Sequence, residues 1–145
     1  MKKSTILLFA CMLLLLCACT VKYADVLRAN WGLVLPENAG LALVYEKDSG
    51  ESFHGDGVRF HVYTCESTAP VDALAAWQSE ISSALFSDRT DCAAAQWLDE
   101  IDAAQAYRPA YSGGLRYAVQ AKNDDMLVLI WDKANMTLYV LEQFI

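Results

Sequence analysis

Met126-Leu-Val-Leu-Ile-Trp131 is the stretch on which the fold turns. It is a short apolar run bounded by Asn123-Asp-Asp125 and Lys133-Ala-Asn135, both rich in turn-forming residues. As a strand it places Met126, Val128 and Ile130 on one face and Leu127, Leu129 and Trp131 on the other. A strand apolar on both sides belongs in the interior of a sheet, covered above and below. Leu115 to Lys122 alternates before it, and Met136 to Ile145 runs to the end of the chain after it. Connections this short make antiparallel neighbours, so the three segments read as one meander.

Upstream, Leu41 to Tyr45 is a first strand, and Asp48-Ser-Gly-Glu-Ser52 has turn chemistry. Val58 to Cys65 alternates with period two: Val58, Phe60 and Val62 face one way, Arg59, His61 and Tyr63 the other. Val21 to Asn30 reads as a short helix stopped at Trp31-Gly32. Ser67-Thr-Ala-Pro70 supplies a helix start, followed at helical spacing by Leu74, Trp77, Ile81 and Leu85 through Ala84. Another helix is expected over Asp91 to Ala104, with Ala93, Trp97 and Ile101 on its inner side. The order α-β-β-α-α-β-β-β, with no βαβ alternation, predicts an α+β two-layer fold. Its antiparallel sheet has about five strands, with helices packed on one face. The other face is left for the N-terminal helix with Trp31, or for a partner.

The first twenty residues are of a different kind. Lys2 and Lys3 precede an apolar run from Ile6 to Leu16, which ends in Leu16-Cys-Ala-Cys19. A basic start, a short apolar core and small residues before a cut site are the parts of a secretory signal peptide. The run is shorter than the roughly 17–25 residues of a spanning helix. Leu16-Cys-Ala-Cys19 resembles the lipobox of bacterial lipoproteins, although Cys17 stands where a small residue is usual. The resemblance implies a signal peptide over residues 1–18 and a diacylglycerol thioether on Cys19. A short tether over 19–22 would lead into one domain over 19–145. Two acyl chains anchor stably where one is marginal, at about 0.8 kcal/mol per buried methylene. The partner implied by Cys19 is therefore the lipid bilayer, and the location is extracytoplasmic, on the outer face of the membrane. Farther along, Trp31-Gly and Leu35-Pro with the Phe53–Gly57 run resemble small uncharacterised bacterial envelope lipoproteins, over Trp31 to Tyr63 at most. That likeness implies no activity.

Removing residues 1–18 leaves 127 of the 145, enough for one domain. The cut takes two lysines and no acids, so the net charge moves from −7 to −9. Such a balance argues against nucleic acid as a partner and against electrostatic docking on anionic lipid, and fits a cationic partner or simple solubility. Cys11 and Cys17 leave with the signal, and Cys19 is taken by the lipid. Cys65 and Cys92 then form the one pair available for a disulfide in an oxidising compartment, or else are two lone buried thiols. The sequence leaves both open.

Phe53-His-Gly-Asp-Gly57 is the one run with the look of a binding motif: His54 and Asp56 stand between glycines that allow close backbone approach. Turn chemistry at the mouth of a strand explains the same residues without a ligand. On the adjoining strand Arg59, His61 and Tyr63 bring a cation, an imidazole and a phenol to one face. His54 and His61 belong to no His-x-x-x-His or Cys-x-x-Cys element, so no metal or other cofactor is expected. Gly-x-Ser-x-Gly is absent, and Asp99/Glu100 and Asp124/Asp125 are neighbours on a helix face and in a turn. The expectation is a non-catalytic module that binds an envelope protein or a small ligand through Phe53–Gly57 and the Arg59/His61/Tyr63 face. The competing reading is a small hydrolase or ligand-sequestering protein built on His54 and Asp56.

Overall fold

The computed structural model describes residues 22–50, 56–87, 92–111 and 114–145. Chain contacts divide the molecule into a unit ending at Val34 and a unit beginning at Leu35. The first contains helix α1, Tyr23–Trp31, whose buried positions are Leu27 and Trp31. Its end is written in the sequence. Gly32 takes the left-handed conformation (φ 68°), and its N–H donates to the Arg28 carbonyl at 3.0 Å. Asp25 sits in the first turn and accepts from Arg28 one turn on, also at 3.0 Å.

The second unit is built on a five-stranded antiparallel sheet of order β1-β2-β5-β4-β3, comprising β1 Ala42–Asp48, β2 Gly57–Thr64, β3 Arg116–Lys122, β4 Asp125–Asp132 and β5 Thr137–Phe144. With α1, α2 (Thr68–Asp72) and α3 (Ala93–Glu100), the chain is of the α+β class. The three C-terminal strands form the meander that their short connections dictate. Lys122 pairs with Asp125 across Asn123-Asp124, and Asn123 takes the positive φ of 57° that such a two-residue loop needs. Between β4 and β5 the buried Asp132 accepts from the Asn135 backbone N–H (3.0 Å) and side-chain amide (2.8 Å), which fixes the second turn.

Register sorts the side chains into two faces. Val58, Phe60 and Val62 of β2, Val128 and Ile130 of β4 and Tyr139 and Leu141 of β5 line one face. There they bury together with Trp97, Leu98 and Ile101 from α3 and its end. The other face carries Leu127, Leu129 and Trp131 opposite Glu142, Val140 and Leu138, all buried. Met126–Trp131 is thus interior in both senses, within the sheet and between its faces.

One expected element does not form as read. The helix that starts near Ser67 ends at Asp72, so Leu74 to Leu85 follow a path of turns. The backbone of Gln78 is used elsewhere: it exchanges two 2.8 Å hydrogen bonds with Tyr117 of β3. Ser79, Ser82 and Ser83 are of a residue type poorly suited to helix interiors, and the Ser82 backbone carbonyl accepts from the Leu85 and Phe86 N–H groups in a local turn. The helical spacing had a different cause. Ile81 and Leu85 pack against the same core from irregular backbone, while the half-buried Trp77 donates its indole N–H to the Val71 carbonyl at 3.0 Å. α3 is also shorter than the expected Asp91–Ala104. Ile101 caps it, Asp102 turns the chain at φ 51°, and Arg108 donates to the Leu98 and Ala103 carbonyls and to Asp99.

Asp72, at the end of α2, ties that helix to the sheet. Trp131 Nε1–H donates to its Oδ1 at 3.0 Å, Lys133 Nζ donates to Oδ2 at 2.6 Å, and the Arg116 guanidinium lies 3.7 Å away. These partners hold the Asp72 carboxyl below the usual carboxylate range, the Lys133 hydrogen bond first and the indole second.

Candidate functional site

The β1–β2 hairpin gathers most of the residues that the sequence singles out. Ser49 closes it: the Ser49 N–H donates to the Val58 carbonyl (3.0 Å), and the Val58 N–H donates back to Ser49 Oγ (3.1 Å). Gly57 is required at this corner. Its φ is 143°, and a Cβ there would stand 2.0 Å from Ser49 Oγ. His54 and residues 51–55 around it lie outside the described residues. Asp56 is exposed and lines a cavity of about 320 Å³ with Ser49, Val58, Glu100, Gln143 and Ile145 among others.

Arg59, His61 and Tyr63 share one face of β2, as period two requires. On one side they oppose Asp48, Glu46 and Leu43 of β1, and on the other Glu142, Val140 and Leu138 of β5. They are not equally accessible. Arg59 is half-buried, with its guanidinium carbon 4.8 Å from the centre of the Phe144 ring, a cation–π distance. His61 and Tyr63 are both only 7% exposed, so they contribute less open surface than an alternating strand suggests.

Burial sets the chemistry of both groups. It pushes the His61 imidazole down to about 4, with the Arg59 charge adding to the effect and Asp48 opposing it. At neutral pH His61 is therefore uncharged. Burial, then the charges of Glu46 and Glu142, push the Tyr63 phenol up to about 12, so it keeps its proton. His61 Nε2 lies 3.8 Å from Glu46 Oε2, beyond hydrogen-bond reach, and the two do not form an oriented carboxylate–imidazole dyad. A second cleft of about 270 Å³ opens here, lined by Glu46, Lys47, Asp48 and His61. Its lining sets the two carboxylates of Glu46 and Asp48 against one ammonium, Lys47, and Arg59 stands across the ladder from Asp48, so the acidic excess at the cleft is small. Glu46 and Asp48 were not among the residues singled out from sequence. The signal was present in the alternation of Glu46-Lys-Asp48, which runs on past the end of the strand expected at Tyr45.

Cys65 and Cys92 are both free and buried, so of the two arrangements open to them the structure holds the separate thiols. Their surroundings differ. Cys65 follows β2, and its N–H donates to the Met136 carbonyl at 3.0 Å, whereas Cys92 precedes α3, with its Sγ 3.7 Å from the Ser87 carbonyl. Burial pushes the Cys65 thiol up, which makes it a poor nucleophile.

Among the described residues no group of three or more His, Cys, Asp or Glu side chains is placed to hold a metal ion, and no helix is long and apolar enough to cross a membrane. No family model matches the chain, and neither a curated protein nor a solved structure similar to it is found.

Proposed function

We propose that this chain is an extracytoplasmic lipoprotein, held on the outer face of the membrane by acyl chains on Cys19, and that it works as a non-catalytic binding module for a cationic partner. The anchor rests on Leu16-Cys-Ala-Cys19 and the signal-like residues before it. The binding role rests on one observation, the cleft at the β1–β2 hairpin, where Glu46 and Asp48 outnumber Lys47 around an uncharged His61. The acidic balance of the chain adds to it, since a negative surface raises the local concentration of cations and speeds their encounter.

Each half has its own experiment. Cys19→Ala should abolish incorporation of labelled fatty acid and release the protein from the membrane fraction. Normal processing and unchanged membrane association of the variant would overturn the anchor. For the binding role, the purified full-length lipoprotein in detergent is titrated with poly-lysine and with poly-glutamate. Poly-lysine should bind, and more weakly as salt rises. Equal binding of the two polymers, or none of either, would overturn the module.

A further inference from the structure

The sheet has two edges, and they are not equivalent. The outer side of β3 is engaged at Tyr117, whose backbone exchanges two hydrogen bonds with Gln78. β1 is exposed along its whole length except at Tyr45, and among the described residues no strand pairs with its outer side. Leu43 and Val44 are 45% and 43% exposed, although both are apolar. An open strand edge presents a row of backbone donors and acceptors, which is the template that an added strand uses.

We infer that β1 is a docking edge that takes up an extended, lysine- or arginine-bearing segment of a partner protein as a sixth strand. Register and charge select this occupant. The ladder with β2 skips at Val44, between Leu43 and Tyr45, so a long continuous pairing along β1 is interrupted, and the regular stretch is the four residues Tyr45 to Asp48. In that stretch Glu46 and Asp48 share the face of the cleft, and an incoming strand would set its own side chains directly against them. A second copy of this chain paired antiparallel would bring these carboxylates together, and like charges directly opposite disfavour pairing. A cationic peptide with alternating side chains places positive groups there instead, and its apolar residues fall beside Tyr45 and the stem of Lys47 on the opposite face. The inference rests on the binding-module reading and supplies its surface and the kind of partner.

The test uses a synthetic peptide, Lys-Val-Lys-Val-Lys-Val, against the full-length lipoprotein in detergent, followed by fluorescence anisotropy and by amide hydrogen exchange. Binding should slow exchange of amides within 42–48. A peptide of the same sequence with every second backbone nitrogen methylated keeps its charge but loses half of its donors, and should bind at least tenfold more weakly. The double variant Glu46→Gln with Asp48→Asn should weaken the unmethylated peptide by about two- to thirtyfold, the range for two opposite-charge cross-strand pairs. The substitutions lie on exposed positions, and unchanged exchange in the core shows that the variant is folded. If the methylated peptide binds as well as its parent, or protection appears away from β1, strand addition is overturned while poly-lysine binding can still stand. If the lipoprotein instead self-associates through β1, with 42–48 protected in the dimer, the partner is a second copy and the inference fails.

Discussion

The folded state should lose stability in mild acid through His61 alone, by an amount the structure sets. Its imidazole is held at about 4 in the folded chain, against an ordinary value of 6.5. A basic group with a depressed folded pKa binds its proton more readily in the unfolded chain. The stability associated with neutral His61 is therefore fully present above about pH 7 and is lost as pH falls from 6.5 towards 4. Linkage over that window gives a loss of about 2 kcal/mol at pH 5 and about 3 kcal/mol at pH 4. The side chain is 9% exposed, so solvent screening does little to reduce the figure. Urea unfolding of wild type and His61→Gln at half-unit steps from pH 7.5 to pH 4.5 isolates it, because every other ionisable side chain is common to the two proteins. The difference in stability between them should be flat above pH 7 and shift by about 2 kcal/mol against the wild type by pH 5. Parallel pH profiles, within about 0.5 kcal/mol of each other throughout, would refute the reasoning, since an unperturbed imidazole contributes no such window.

Asp72→Ala should cost about 1–3 kcal/mol, because Trp131 is fully buried and its indole N–H loses its acceptor where water does not reach it. Asp72→Asn keeps an oxygen for the indole and loses the exposed pairs with Lys133 and Arg116, so it should cost less than Asp72→Ala, about 1 kcal/mol; the two are compared by urea midpoints. Gly57→Ala combines a positive φ with a clash against Ser49 Oγ and should destabilise by about 1–3 kcal/mol in the same assay. Ser49→Ala in that background should recover only part of the loss, since the backbone strain remains. Thiol titration of the urea-denatured, unreduced lipoprotein should count two thiols, Cys65 and Cys92, and a count of none in a monomer would mean that they are bridged.

The strands were legible in the sequence for two reasons: Val58 to Thr64 alternates with period two, and Met126 to Trp131 is a short apolar run bounded by turn residues. Their partners were less so. Nothing local in Gly57–Thr64 says that it pairs with Thr137–Phe144, because that pairing is decided by which buried faces match across long separations. The stretch from Leu74 to Leu85 misled for a related reason. Apolar residues at helical spacing can reach a core from turns when a backbone group such as that of Gln78 finds a better partner in a strand edge. Arg59, His61 and Tyr63 were correctly placed on one face by alternation, but alternation is silent on depth, and two of the three are buried. Glu46 and Asp48 went unnoticed because β1 runs three residues beyond the apolar segment that announced it. A strand at an edge needs no apolar face along its whole length.

The strand order carries a consequence for how the chain comes together in time. β5 lies between β2 and β4, so the last of the five strands to be synthesised occupies the middle of the sheet. Until residues 137–144 are free, the earlier segments can form at most two separate hairpins, β1 with β2 and β3 with β4, and an isolated hairpin is marginal in water. Joining the two halves requires pairings as distant in sequence as Gly57 with Phe144, and contacts of such separation go with slower folding. On the export route that the proposed signal peptide implies, the five-stranded sheet cannot close until Thr137–Phe144 has crossed.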